Sequence, residues 1–551
     1  MPSALLSNGK SNGNGAAEEP QRLDRASEVE DLVDAVKSLI VPYVRAADEA
    51  APLRAQGDVL RTGTGTSPNV LVDAHRPEDL VKRMAFSLPE AEGRGREGLL
   101  DAIRQVLRYS VNTWDQGFLD KLYSSTNAVG VVSDMLLAVL NTNVHIYQTS
   151  PSLTVVEKAT ARALAALFGL RGPRAGGVTC QGGSASNLTS LIVARNTLYP
   201  STKTRGNEGR SFALFTSAHG HYSVEKAATT AGMGSGSVVP VAVDDEGRMV
   251  PAALEAAVLA ARERGLTPLY VNATAGTTVL GSFDPLHEIA DVCARHGLWM
   301  HVDASWGGAV AFSAGHRHKL AGVERADSVT VNPHKMLGVP VTCSFLLARD
   351  LAVFHRANTL PAGYLFHGDD DEGGGEGEGE GEGGGDEERE KEYWDLADLT
   401  LQCGRRGDSL KLALAWIYYG AAGFGAQVDA AFETAAHLAR LVDDAPDFAL
   451  LSANPPPCLQ VCFYHAPGAG AGAAPPESAG AEAEANTRHT RAMVRKLVGR
   501  GFMVDYAPGE RGSFFRAVVN SQTRKATVEG LMRALHEVGK EVVSSSSSTS
   551  S

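Results

Sequence analysis

The sequence predicts an α/β protein: a mostly parallel sheet covered by helices on both faces, with a helical segment before it and a smaller α+β unit after it. Three observations carry this. Between residues 212 and 348, short apolar runs alternate with stretches of helical period. The runs are continuously apolar, as expected of strands buried on both faces. Beyond residue 403 the alternation gives way to strands such as "CLQVCFYHA" and "SFFRAVV" and a terminal helix, the pattern of a second, smaller layer.

In chain order, "MPSALLSNGKSNGNGAAEEP" is polar and glycine-rich, so residues 1–25 are expected to be disordered. It has no long apolar stretch and is not arginine-rich, so neither a secretory nor a transit signal is read there. From "SEVEDLVDAVKSLIVPYV" onward, apolar residues recur at three and four, giving a helical N-terminal segment over 26–110. A large domain follows over 111–402. It contains the amphipathic helix of "HIYQTSPSLTVVEKATARALAALFGL" and the segment–turn–helix of "VTCQGGSASNLTSLIVARNTL". Next come the strands "FALFTS", "SVVPVAV", "PLYVNAT", "LWMHVDA", "SVTVN" and "SFLLA", with the helices "AALEAAVLAARERG" and "DPLHEIADVCARHG" among them. Inside this domain "GDDDEGGGEGEGEGEGGGDEERE" has too little apolar content to join a core, so 368–391 reads as a solvated acidic insertion. A small C-terminal domain spans 403–543, with a flexible insertion over 467–486 and a last helix bearing Leu531, Met532, Leu535 and Val538. The serine tail, 544–551, is expected to be disordered.

Composition narrows the function. The chain has 551 residues, 43% hydrophobic and 21% charged, as in soluble globular proteins. A formal charge of −13 leaves no excess of Lys and Arg to displace phosphate counterions, which argues against a nucleic-acid partner. Six cysteines without a CxxC pair read as reduced thiols of a cytoplasmic protein, with no metal-ligand spacing. No window is long enough to span a membrane.

Four features carry chemistry. Lys335 follows a β-branched run in "TVNPHKMLGVP". A surface lysine needs no such setting, whereas one that bonds covalently to a carbonyl must be held and partly desolvated. Asp303 ends the apolar strand of "LWMHVDASWGG", as a cap, a structural acceptor or a ligand group at the sheet's carboxyl edge. A buried carboxylate there needs a cationic or hydrogen-bonding partner, and a protonated pyridine nitrogen is one. "QGGSASN" opens a helix with glycines and hydroxyls, so its N–H groups and dipole can hold a phosphate; without a GK[ST] ending it is no P-loop. In "SAHGHYS" a histidine after a strand can stack on a flat ring, serve as a structural imidazole, or pair with His219 at a metal, the weakest reading. A phosphate cradle, a stacking imidazole, an acid for a ring nitrogen and a Schiff-base lysine, in that order, describe a site for pyridoxal 5′-phosphate.

The motifs "NPHKMLGV", "HVDASWGG", "VNATAGTTVLGSFDPLHEIADVC", "HRHKLAGVERADSVT", "AGYLF" and "CGRRGDSLKLALAW" resemble those of the group II pyridoxal-phosphate decarboxylases, in the branch of glutamate, cysteine sulfinate and aspartate 1-decarboxylases. The resemblance runs from about residue 75 to 540, broken by the two insertions. It implies fold type I and a homodimer whose N-terminal segment makes dimer contacts and whose active site lies at the subunit interface. It further implies loss of the α-carboxyl group of a small acidic amino acid, with a proton returned at Cα. By motif, Lys335 carries the cofactor, Asp303 pairs with the pyridine nitrogen and His221 stacks on the ring. Ala185 and Ser186, with Asn332 and His334, hold the phosphate. Thr274 lies near the ring or its 3′ oxygen, Arg516 grips the substrate α-carboxylate and Tyr364 returns the proton.

Two departures bear on substrate. Where glutamate-using relatives carry an Asn-Gln-Leu-Ser stretch, this chain has "LDKLYSST". Lys121 there offers a cation to a distal carboxylate or sulfinate, or else a salt bridge to Asp120 or another neighbour. Tyr123 fills space and favours the shorter acids. Ser305 stands where a second alanine is common in decarboxylases. The competing outcomes are transamination or decarboxylation-coupled oxidative deamination on the same fold, decarboxylation of an aromatic or other amino acid, and a non-catalytic scaffold.

Overall fold

The structure, a computed structural model, describes residues 24–57, 69–360, 392–466 and 479–547. Tyr364 and the whole 368–391 insertion lie outside the described residues. The chain divides into two compact units, Met1–Ala46 with Ala74–Ser110, and Ala47–Asp73 with Val111–Ser551.

The first unit is helical, with Pro77 opening the helix Pro77–Met84, where its missing N–H is not needed. Arg96 makes a two-pronged contact with Asp31 at 2.7 and 3.2 Å. Residues 47–73, expected within the helical N-terminal segment, group instead with the second unit. The cause is a buried anchor: Arg54 donates to both oxygens of Asp115 at 2.7 Å, and Leu71 O accepts from Asn112 N at 2.8 Å.

The second unit is built on two sheets. The larger comprises β2 (Gly176–Cys180), β3 (Phe212–Ser217), β4 (Val238–Val241), β5 (Thr267–Thr274), β6 (Trp299–Ala304), β7 (Ser328–Val331) and β8 (Ser344–Ala348). Their order is β2-β8-β7-β6-β5-β3-β4, and only β8 runs against the rest. Successive residues feed opposite faces: Phe215 and Leu347 join one buried cluster, Leu214 and Leu346 the other. That two-sided burial is why the strands read as continuous apolar runs. The carboxyl ends of β2, β3, β5, β6 and β7 therefore gather at one edge.

The smaller sheet has the order β1-β11-β12-β10-β9, with β1 (Phe118–Leu119), β9 (Phe448–Leu450), β10 (Gln460–His465), β11 (Met503–Ala507) and β12 (Phe514–Val518). Two boundaries shift from expectation. β1, in the stretch assigned to the large domain, pairs in parallel with β11. The helix Ala479–Gly499 begins inside the expected insertion 467–486, since its Ala/Glu run is rich in strong helix formers. The last helix, Lys525–Ser547, likewise continues into the serine stretch. Among the described residues no helix is long and apolar enough to cross a membrane.

Candidate active site

At the end of β2 the chain turns through Gly182, whose φ of +93° is a conformation L side chains rarely adopt. The helix Gly183–Leu198 then begins. The N–H groups of Ala185 and Ser186 already bond to Gly182 O, at 3.0 and 3.1 Å. The first-turn donors left without an intrahelical acceptor are those of Gly183 and Ser184, and these two residues line the cavity. Ala185 and Ser186, the residues expected at the phosphate, follow in the same turn and do not line the cavity. Ser186 turns its hydroxyl inward to Ser344 Oγ at 2.8 Å. A Cβ on Gly183 would lie 2.7 Å from both Asn332 Nδ2 and Ser305 Oγ, so the turn is packed directly against the far wall.

Asp303, near the end of β6, is buried. It accepts from Asn187 Nδ2 at 2.8 Å through Oδ2 and from Ser305 N at 3.0 Å through Oδ1. Burial alone would raise its pKa, but the Ser305 bond, the Lys335 charge and the Asn187 bond outweigh it and hold the carboxyl below its usual range. Behind it, His301 is kept neutral, its pKa lowered by burial to about 4. With its Nε2–H donated to Asn187 Oδ1 at 3.1 Å, the Asn187 amide is aimed, so that its nitrogen serves Asp303 and Ser223 Oγ. Neither Asn187 nor His301 was singled out from sequence.

Lys335 follows β7 through the turn Asn332–Pro333, its N–H closing on Asn332 O at 3.0 Å. Its Nζ has no hydrogen-bond partner among the described residues. Burial pushes the amine below the usual lysine range, with the Asp303 charge pulling the other way. His334 places Nδ1 2.7 Å from Cys343 O, and burial lowers its pKa to about 4. After β3, His221 accepts from Ser223 N at 3.3 Å through Nδ1. Burial draws its pKa down, Asp303 opposing and Lys335 and Lys226 reinforcing.

Lys335, Asp303, His221, Thr274, Asn332 and His334 all line one cavity of about 260 Å³, on the carboxyl edge of the larger sheet. Arg516 lies one residue outside its wall, donating to the carbonyl of the lining residue Thr278 at 2.6 Å. Lys121 and Tyr123 do not line the cavity. The Lys121 ammonium is engaged by Asp505 at 3.0 Å and Asp120 at 3.2 Å, and Tyr123 is 43% exposed beside Phe118. β1 accounts for this, because it carries the following residues along β11 and not into the sheet edge.

The lining fits pyridoxal phosphate. Thr274 Oγ1 and Asn332 Oδ1 are buried polar atoms without partners among the described residues, Asp303 is a charged acceptor, and the first turn of a helix faces the same space. Fold and site together define a fold type I enzyme that takes a phosphorylated pyridine aldehyde. Residues 77–376 match the family model described as the pyridoxal-dependent decarboxylase conserved domain. The chain is 58% identical to the L-aspartate decarboxylase dtxS4 of Metarhizium robertsii, over 95% of this chain and 99% of that protein. It is 42% identical to the glutamate decarboxylase-like protein FG08083 of Gibberella zeae, over 87% of this chain and 94% of that one. The crystal structure of mouse CSAD superimposes with a TM-score of 0.78 at 34% identity, covering 93% of this chain and 99% of that chain. The chain belongs to the pyridoxal-dependent decarboxylase family and is a pyridoxal 5′-phosphate-dependent amino-acid decarboxylase.

Proposed function

We propose that the protein removes the α-carboxyl group of L-aspartate to give β-alanine and CO2. The observation that carries the choice of acid is the 58% identity, over nearly the full length of both chains, to an L-aspartate decarboxylase. The charged group just outside the cavity wall, Arg516, suits a carboxylate-bearing substrate.

In this reading Lys335 holds the cofactor covalently through its amine. Asp303, kept ionised by Ser305 and Asn187, holds a proton on the ring nitrogen, and His221 flanks the ring. Gly183 and Ser184, which line the cavity with Asn332 and His334, would hold the phosphate. When bound, the cofactor supplies an electron-accepting ring for the pair left by departing CO2. Arg516 orients the substrate through a carboxylate, and Tyr364, placed by its motif alone, returns a proton to Cα.

The proposal includes a homodimer. Helix Ala128–Leu140, packed beside helix Ser409–Asp443, leaves Val132 55%, Met135 50% and Val139 71% exposed, and Ile417 and Tyr418 are 80% and 73% exposed. A second copy of this chain is the occupant we assign to that apolar face. Light scattering of wild type against Val139→Glu tests it, with a dimer expected to shift towards monomer. The cytoplasm is the proposed compartment, since all six cysteines are free.

The substrate test is CO2 release by cofactor-loaded enzyme from L-aspartate, L-glutamate, L-cysteine sulfinate and L-tryptophan. One methylene separates the first two, so kcat/KM for aspartate is expected to lead glutamate by at least about tenfold. Lys335→Ala should abolish release from all. A lead for any other acid overturns the choice of aspartate, and no release from any of the four overturns the proposal.

A further inference from the structure

Strand register brings four charged side chains together beside the cavity. Asp505 and Arg516 stand directly opposite each other on β11 and β12. Leu119 pairs with Val504, so the next two residues, Asp120 and Lys121, arrive alongside Asp505. One oxygen of Asp505 is then shared: Oδ2 accepts from Arg516 Nη2 at 2.6 Å and from Lys121 Nζ at 3.0 Å. Arg516 also donates to Thr278 O at 2.6 Å and Asp120 O at 3.3 Å. The side chains grade outward, Arg516 being 7% exposed, Asp505 24% and Lys121 46%.

A substrate carboxylate that reaches Arg516 therefore meets a carboxylate already there. A guanidinium–carboxylate pair largely out of water does not part readily, because the displaced anion would be left without a cation. Lys121 is a second cation already in contact with the same oxygen. We propose that Asp505 and Lys121 form a carboxylate-exchange pair: Asp505 holds Arg516 against Thr278 while substrate is absent, and passes to Lys121 alone when a substrate carboxylate takes its place on Arg516. Both are positioning residues that act through Arg516 on substrate affinity. The inference rests on the reading that Arg516 receives the substrate carboxylate. Asp505 is suited to the exchange because it stays charged. Burial opposes this, but the Lys121 bond, a backbone bond from its neighbour and the Arg516 charge together hold its pKa below the usual range.

The test is steady-state kinetics of the holoenzyme with L-aspartate for Lys121→Met, Lys121→Arg, Asp505→Asn, the Lys121→Met/Asp505→Asn double variant and Arg516→Lys. Without its exchange partner Asp505 stays on Arg516, so Lys121→Met should raise KM about tenfold with kcat within about threefold. Lys121→Arg keeps the cation and should leave KM within about twofold of wild type. Asp505→Asn removes the rival anion and should lower KM about threefold, and in that background Lys121→Met should change KM by less than about twofold. Equal effects of Lys121→Met in both backgrounds, as through-space charge alone would give, overturn the exchange. So does a fall in kcat at constant KM. Arg516→Lys separates the two levels: if it leaves KM unchanged, the reading of Arg516 fails. If it raises KM while the other two substitutions are additive, only the exchange fails. Asp505→Ser substitutes for Asp505→Asn should that variant not fold.

Discussion

The side-chain amide of Asn187 donates to Asp303 Oδ2 at 2.8 Å while its oxygen faces His301 Nε2 at 3.1 Å. The carboxylate that the proposed mechanism needs ionised thus takes one of its two close hydrogen bonds from a side chain whose orientation is set by a buried neutral imidazole. Asn187→Ala removes that bond and leaves Asp303 with Ser305 N alone. A hydrogen bond to a charged group contributes about 1.5–3 kcal/mol, so kcat/KM should fall about 10- to 100-fold. The pH dependence of the cofactor absorbance should shift as Asp303 becomes easier to protonate. An unchanged pH profile would remove Asn187 from this role.

Gly183→Ala tests the turn that faces the proposed phosphate site. Its Cβ would meet Asn332 Nδ2 and Ser305 Oγ at 2.7 Å, closer than real Cβ contacts come, so the far wall must shift. The strain falls on the cavity and not on the core. Cofactor affinity measured by fluorescence should drop about tenfold or more, with the thermal midpoint of the apo protein within about 2 °C of wild type. A large fall in apo stability with cofactor affinity intact would refute this.

The strand ends were legible because burial on both faces leaves a continuous apolar run, and the end of each run marks the sheet edge. The strand ends pointed to Lys335, Asp303 and His221, and the family resemblance added Thr274, Asn332 and His334; all six line one cavity. The helix start was not legible to the residue: which first-turn residues line the cavity, Gly183 and Ser184, depends on where the helix begins. Asn187 lies one helical turn beyond Gly183, and that spacing was a usable sign that it shares the same face. Its partner His301 is distant in sequence, and no local pattern announces it. Lys121 shows the same limit. Its contact with Asp505 depends on a pairing between β1 and β11 that neither segment betrays.

Arg405 and Glu157 form an ion pair of 2.7 Å with side chains 1% and 0% exposed. Glu157 also accepts from Thr179 N and Oγ1, and Arg405 donates to Thr179 O and Oγ1, so the pair clamps β2 just before its turn into the cavity. Arg405→Met should leave Glu157 buried without its cation and cost about 3–5 kcal/mol of stability. Glu157→Gln with Arg405→Met together should recover part of the loss, because no buried charge remains. Urea unfolding of wild type and the two variants measures both effects, and equal losses in the single and double variants would contradict the account.

His465 supplies a pH dependence remote from the cavity. Its ring contacts those of Phe448 and His489, its Nδ1 is buried without a partner among the described residues, and a Cβ on Gly539 would come within 2.6 Å of its Nε2. Burial, with His489 and His536 adding to it and Asp447 opposing, lowers its pKa to about 4. An unfolded histidine titrates near 6.5, so between these values the unfolded chain binds the proton and the folded one does not. Stability from this site is therefore full above about pH 6.5, falls as the pH drops towards about 4 and is constant below that. The span corresponds to up to about 3 kcal/mol. His465→Leu cannot take the proton, so its unfolding free energy should fall less than that of wild type between pH 7 and 4.5, by about 2–3 kcal/mol. Urea midpoints at the two pH values measure the difference. Parallel curves for the two proteins would mean that His465 is charged in the folded state.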